Sequence, residues 1–308
     1  MTTVECILPR TILGEGPHWD HTEQALYFVD IKASEVHRYT PATKKETVVK
    51  IEGGPVSIVI PVQGQKNKYV ITIGRDIAIM TWDGVSSSPS HVERVATVDE
   101  VDGKRENRLN DGKADPTGRL WAGTLGAEHG PVDFTPHNGS LFSLSKDRKV
   151  TSHVTGVTCS NGLAWSLDNK IMYYIDSLTL KVEAFDFNAE KGQAINRRTA
   201  FDFKANGVKG FPDGMTIDTQ GNLWVACFDG SQVINVDPRT GKLLKTISIP
   251  SPKVTSVVFG GKNLDELYVT SASVDLNKEE LAATPSAGCT FRILGTGAKG
   301  FPGQSVVL

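Results

Sequence analysis

One arrangement of residues recurs along this chain and leaves few folds open to it. The segments GEGPHWDHTEQALYFVD (14–30), RLNDGKADPTGRLWAGT (108–124), SNGLAWSLDNKIMYYIDS (160–177), FPDGMTIDTQGNLWVACF (211–228) and VTSVVFGGKNLDELYVTS (254–271) share one plan. A short run led by a polar or small residue meets a turn rich in Asp, Asn and Gly, and an apolar strand ending in a small or acidic residue follows. A weaker copy, GGPVSIVIPVQGQKNKYVITIG, spans 53–74. The copies lie roughly 40 to 55 residues apart, the length of a four-stranded propeller blade. Between them run further short strands such as SLFSLS, KVEAFDF, QVINVD and CTFRIL; the best helical candidate, LNKEELAATP, offers little more than two turns. Residues 1–308 are therefore predicted to form one all-β domain, a six-bladed β-propeller with four-stranded antiparallel blades around a central channel.

A blade cannot bury both faces of its sheet alone, so blades stack about an axis and each innermost strand borders the channel. The polar lead residue stands at the same place in each copy, so the leads converge at one end of that channel. They are Glu15, Asn110, Asn161 and Asp213, with small residues, Ser57 and Ser256, in the other two copies. Two carboxylates and two amide oxygens form a hard, oxygen-only set suited to one divalent ion, Ca²⁺, Mg²⁺ or Mn²⁺; Zn²⁺ is also admissible, although no Cys or His stands at these positions. Arg108, two residues before Asn110 and on the same side of an extended chain, is a candidate to hold a substrate oxygen. The segment LGAEHGPVDFTPHNG (125–139) reads as a loop over the channel mouth and makes Glu128 and His129 further candidates. His18 and His21, in HWDH, read as the turn of the first blade.

Composition removes other classes. With 33 basic residues against 35 acidic and no Lys/Arg cluster, nucleic acid is not an expected partner. No apolar run approaches a membrane span and the N-terminus has no signal-peptide pattern, so a soluble, cytoplasmic monomer is expected. The four cysteines are scattered without the spacing of a zinc or redox site. The sequence contains no G-x-S-x-G, no HExxH and no phosphate-binding loop.

At GEGPHWD, NRLNDGKADPTGRLWAGT, NGLAWSLDNKIMYYIDS, FPDGMTIDTQGNLWVACFDG and VTSVVFGGKNLDELYVTSA the chain resembles the regucalcin (senescence marker protein), gluconolactonase and luciferin-regenerating enzyme family of six-bladed propellers, and points to an insect member. The resemblance implies metal ligands at Glu15, Asn161 and Asp213 with Asn110 direct or through water, and substrate contacts at Arg108, Asn110 and Glu128. It implies a metal-dependent hydrolase of small lactones, with Asp213 as ligand and general base and Arg108 orienting substrate. One alternative is a beetle-type enzyme converting oxyluciferin to 2-cyano-6-hydroxybenzothiazole, whose flat substrate requires an aromatic-lined mouth. Another is a calcium-binding regulatory propeller without turnover.

Overall fold

A computed structural model describes residues 1–130 and 132–308 and forms the predicted ring of six four-stranded antiparallel sheets. The first five blades take their strands in chain order from the channel outwards, as in Gly14–Asp20, Ala25–Asp30, Glu35–Thr40 and Lys45–Lys50 of blade one. The innermost strands of the next four are Val59–Pro61, Arg108–Ala114, Ser160–Trp165 and Phe211–Ile217. Blade six is composite. Lys253–Gly260, Glu266–Ala272 and Thr290–Leu294 come from the end of the chain, and Thr3–Leu8 supplies the outermost strand, antiparallel to Thr290–Leu294. The two ends of the chain thus close the ring by a main-chain ladder, which the repeat did not foretell.

Burial follows the layering. Second strands such as Ala25–Asp30 and Leu120–Leu125 are buried along their whole length, whereas outer strands such as Lys242–Ser248 are largely exposed and carry the lysines that keep edges from pairing with other chains. Apolar clusters lie between successive sheets; Tyr27, Val36 and Val49 of blade one pack with Ile71, Ala78 and Met80 of blade two. The helical candidate forms Lys278–Ala283, started by a capping box between Asn277 and Glu280. Among the described residues, no helix is long and apolar enough to cross a membrane.

The repeated turns explain themselves chemically. In DPTGRLW the Asp115 carboxylate accepts from the Thr117 and Arg119 amides at 2.8 and 3.1 Å and from Trp121 Nε1 at 3.0 Å. In DTQGNLW, Asp218 repeats this with the Gln220 and Asn222 amides, both 2.9 Å, and Trp224 Nε1, 3.0 Å. The glycine three residues after each Asp takes a positive φ, 85° at Gly118 and 79° at Gly221, which the turn requires. The C-terminal tail crosses this face of the ring: the Thr219 amide donates to Lys299 O, and the Val306 and Val307 amides donate to Pro61 O and Gly118 O.

Candidate functional site

The opposite face carries the connections between second and third strands. Four are short, at 31–34, 74–75, 177–180 and 229–231; two are long, at 126–138 in blade three and 273–289 in blade six. Blades three and six face each other across a ring of six, so the long connections flank the mouth from opposite sides. Beneath them lies a cavity of about 280 Å³, lined by Glu15, Asn110, Asn161 and Asp213 together with Arg108 and Glu128. The cavity suits a small molecule rather than a polymer.

Each ring residue sits at a fault in its inner strand. Pairing jumps from Leu109 to Gly112, from Ser160 to Leu163 and from Pro212 to Met215, leaving Asn110, Asn161 and Asp213 in the unpaired stretch; in blade one the jump from Glu15 to His18 follows the ring residue. Such bulges break the alternation of the strand and re-aim side chains. The glycines that follow let adjacent inner strands approach: a Cβ at Gly162 would lie 2.7 Å from Asp213 O, and one at Gly214 would overlap Ser256 Oγ.

The floor is tightly wired. Asn110 Nδ2 donates to Ser160 O at 2.9 Å and to Asn161 Oδ1 at 3.2 Å, and Asn161 Nδ2 donates to Ser177 Oγ at 2.8 Å, which donates to Pro212 O. Asn161 Oδ1 accepts from Asn110, and Asn110 Oδ1 in turn accepts from Arg108 Nη1 at 2.7 Å, so both amides are held fixed where they line the cavity. Glu15 and Asp213, 7% and 6% exposed, differ: among the described residues no side chain hydrogen-bonds to either, and Glu15 Oε2 accepts only the Gly16 amide, at 3.0 Å. Burial, reinforced by the Asp111 carboxylate, pushes the Glu15 carboxyl up to about 8, against the pull of the Gly16 amide and Arg108. Burial, then Glu15 and Asp111, hold Asp213 well above the ordinary carboxylate range. Two buried carboxylates with few partners beside two fixed amide oxygens fit a hard cation, which would relieve both desolvation and mutual repulsion. Among the described residues no group of three His, Cys, Asp or Glu gathers as a metal cluster, so a cation here would depend on the amides.

Above the floor, Arg108 Nη1 donates to Asn110 Oδ1 at 2.7 Å, and its Nε and Nη2 donate to Glu128 Oε1 at 3.1 and 2.6 Å. Glu128 stands on a small hairpin of Glu128–Gly130 with Asp133–Phe134. Its carboxyl is held down at about 2 by Arg108 and Lys32 despite its burial.

Other sequence expectations resolve differently. His129 is exposed, bonds to Thr135 Oγ1 at 2.8 Å within its own loop and does not line the cavity. Ser57 and Ser256 do not line it either; Ser57 Oγ instead donates to Leu109 O at 3.0 Å and ties blade two to blade three. His18 is not in the turn with His21 but on the inner strand, buried, and pushed down to about 3 by burial and by Lys113. It shares with Asp111 and Lys113 a second void, about 20 Å³, deeper in the channel. A cysteine does stand beside the ring: Cys159 lines the cavity, but burial drives its thiol far above the range in which a thiolate forms. Sequence reasoning also missed Lys32, Leu178, Ser177, Phe134, Phe211 and Phe228; most lie on connections, where no periodicity marks them.

The pattern has relatives. A family model described as the SMP-30/Gluconolactonase/LRE-like region matches residues 13–273. Regucalcin of Macaca fascicularis is 44% identical over 298 residues, covering 96% of each chain. Among solved structures, a luciferin-regenerating enzyme is similar with a TM-score of 0.94 and 45% identity over 100% of both chains. A calcium-binding protein, regucalcin, from Agrobacterium tumefaciens has a TM-score of 0.86 and 25% identity over 97% of this chain and 95% of its own.

Proposed function

The chain belongs to the SMP-30/gluconolactonase/LRE-like family, and from that premise we propose that it is a divalent-metal-dependent hydrolase of small lactones. The observation that carries this reading is the pair of buried, under-partnered carboxylates, Glu15 and Asp213, set beside Asn110 and Asn161 in the lining of one cavity. A carboxylate pair destined only for structure would have protein donors.

Glu15, Asn161 and Asp213 would hold the ion, with Asn110 direct or through water. The ion, when bound, supplies Lewis-acid polarisation of the lactone carbonyl. Arg108 holds the substrate with the guanidinium hydrogen that its protein partners leave free and offsets negative charge on the ring oxygen. Asp213 takes the proton of the attacking water. The apolar walls from Leu13, Ile31, Leu125 and Leu178 exclude bulk water from the reacting centre.

The test is hydrolysis of gluconolactone and related aldonolactones by metal-stripped protein with Ca²⁺, Mg²⁺, Mn²⁺ or Zn²⁺ restored singly. Turnover that returns with an ion is expected. Silence on every lactone with every ion would overturn the reading.

A second reading draws on the cavity walls. Phe134, Phe211 and Phe228 line them, and a flat heterocycle such as oxyluciferin would stack there. The similarity to a luciferin-regenerating enzyme supports the same idea. Consumption of oxyluciferin by the metal-loaded protein, with KM raised in Phe211→Ala, would favour it over the aldonolactones.

A further inference from the structure

Lys32 has no place in the site as read from the sequence, yet it lines the cavity and reaches across the mouth. It sits on the 31–34 connection of blade one, and its Nζ lies 2.6 Å from Glu128 Oε2 on the blade-three hairpin, with blade two between them. The other carboxylate oxygen, Glu128 Oε1, accepts Arg108 Nε and Nη2. Both oxygens of Glu128 are thus committed to cations. Arg108 Nη1 spends its hydrogens on Leu109 O at 3.2 Å and Asn110 Oδ1 at 2.7 Å. A guanidinium carries five N–H donors. Four are engaged among the described residues, and one hydrogen on Nη2 remains for a ligand.

We propose that Lys32 is a positioning residue of the substrate site: through Glu128 it fixes the Arg108 guanidinium so that a single Nη2 hydrogen is presented to the substrate. Glu128 then acts as a brace for Arg108. The inference rests on the lactonase reading for its kinetics but on geometry for the brace. An isolated exposed ion pair contributes little. Here the pair is joined to Arg108, whose side chain is 11% exposed, and through Asn110 to the floor of the ring, so a change at blade one reaches the substrate donor.

The experiment compares wild type, Lys32→Ala and Lys32→Arg as full-length, metal-loaded protein on the best lactone, alongside amide hydrogen exchange of the hairpin. In Lys32→Ala, KM is expected to rise about tenfold while kcat stays within about twofold, and Lys32→Arg should return KM to within about threefold of wild type. The amides of Glu128–Gly130 and Asp133–Phe134 should exchange faster in Lys32→Ala and recover in Lys32→Arg. An unchanged KM in Lys32→Ala, or an arginine variant as impaired as the alanine one, would overturn the proposal. Should wild type hydrolyse no lactone, the lactonase reading fails on its own. The exchange data then decide: faster exchange restored by arginine supports the brace, and unchanged hairpin protection overturns it.

Discussion

Two aspartates on blade five, five residues apart and equally out of water, lead opposite lives. Asp218, 2% exposed, closes the turn after the inner strand and accepts from two amides and the Trp224 indole. Asp213, 6% exposed, stands in the bulge near the other end of the same strand, beside Glu15, with its carboxyl driven far above its usual range. Residue type and burial are the same; the supply of donors differs. A carboxylate that the fold saturates serves stability, and one that it leaves wanting is available to a ligand.

That contrast can be broken most sharply at Asp213. In Asp213→Asn, kcat/KM for a lactone should fall by at least about 100-fold and divalent-metal affinity, measured by calorimetry, should fall with it, while the metal-free protein loses little stability. Asp218→Ala should do the reverse: strip about 2–3 kcal/mol from unfolding in denaturant, because two amides and an indole lose their acceptor, and leave metal affinity intact. If both variants lost stability alike, the two aspartates would not differ in kind.

The pH dependence sharpens the comparison. Glu15, ordinarily near 4.5, is raised to about 8 in the fold, so the metal-free native state keeps a proton that the unfolded chain has lost. Stability from this group is full below about pH 4.5 and disappears as pH rises through about 8. The Tm of metal-free protein should therefore fall by a few degrees between pH 5 and 8, measured calorimetrically, and saturating metal should abolish that fall. A metal-free Tm that rose across this range would contradict the crowding of carboxylates in the channel. The smallest expected effect is at the turn: Gly221→Ala, at φ 79° with no atom within 3.5 Å of the added Cβ, should cost about 1 kcal/mol in denaturant unfolding and leave the metal site unaltered.

The sequence carried the blades and the ring because both are periodic. A repeat written in Asp-x-x-Gly turns and apolar strands announces its sheet, and equivalent positions in equivalent blades bring Glu15, Asn110, Asn161 and Asp213 together whatever the loops do. Where periodicity ended, legibility ended with it. Thr3–Leu8 reads as an ordinary strand, and only the geometry of a closed ring decides that it pairs with Thr290–Leu294. His18 looked like a turn residue because the bulge at Gly16 and Pro17 shifts the alternation that would have marked it as buried.

What the sequence determined by itself was the fold class, the blade count and the polar lead residues of the inner strands, since hydrogen-bonding turns and alternating burial are local properties that each repeat satisfies alone. The tertiary structure alone decided which carboxylates stay without side-chain partners, which phenylalanines line the cavity, and that Lys32 of one blade grips Glu128 of another. Those facts depend on distances between segments about 100 residues apart, and such distances are set by the closure of the ring rather than by any neighbour in the chain.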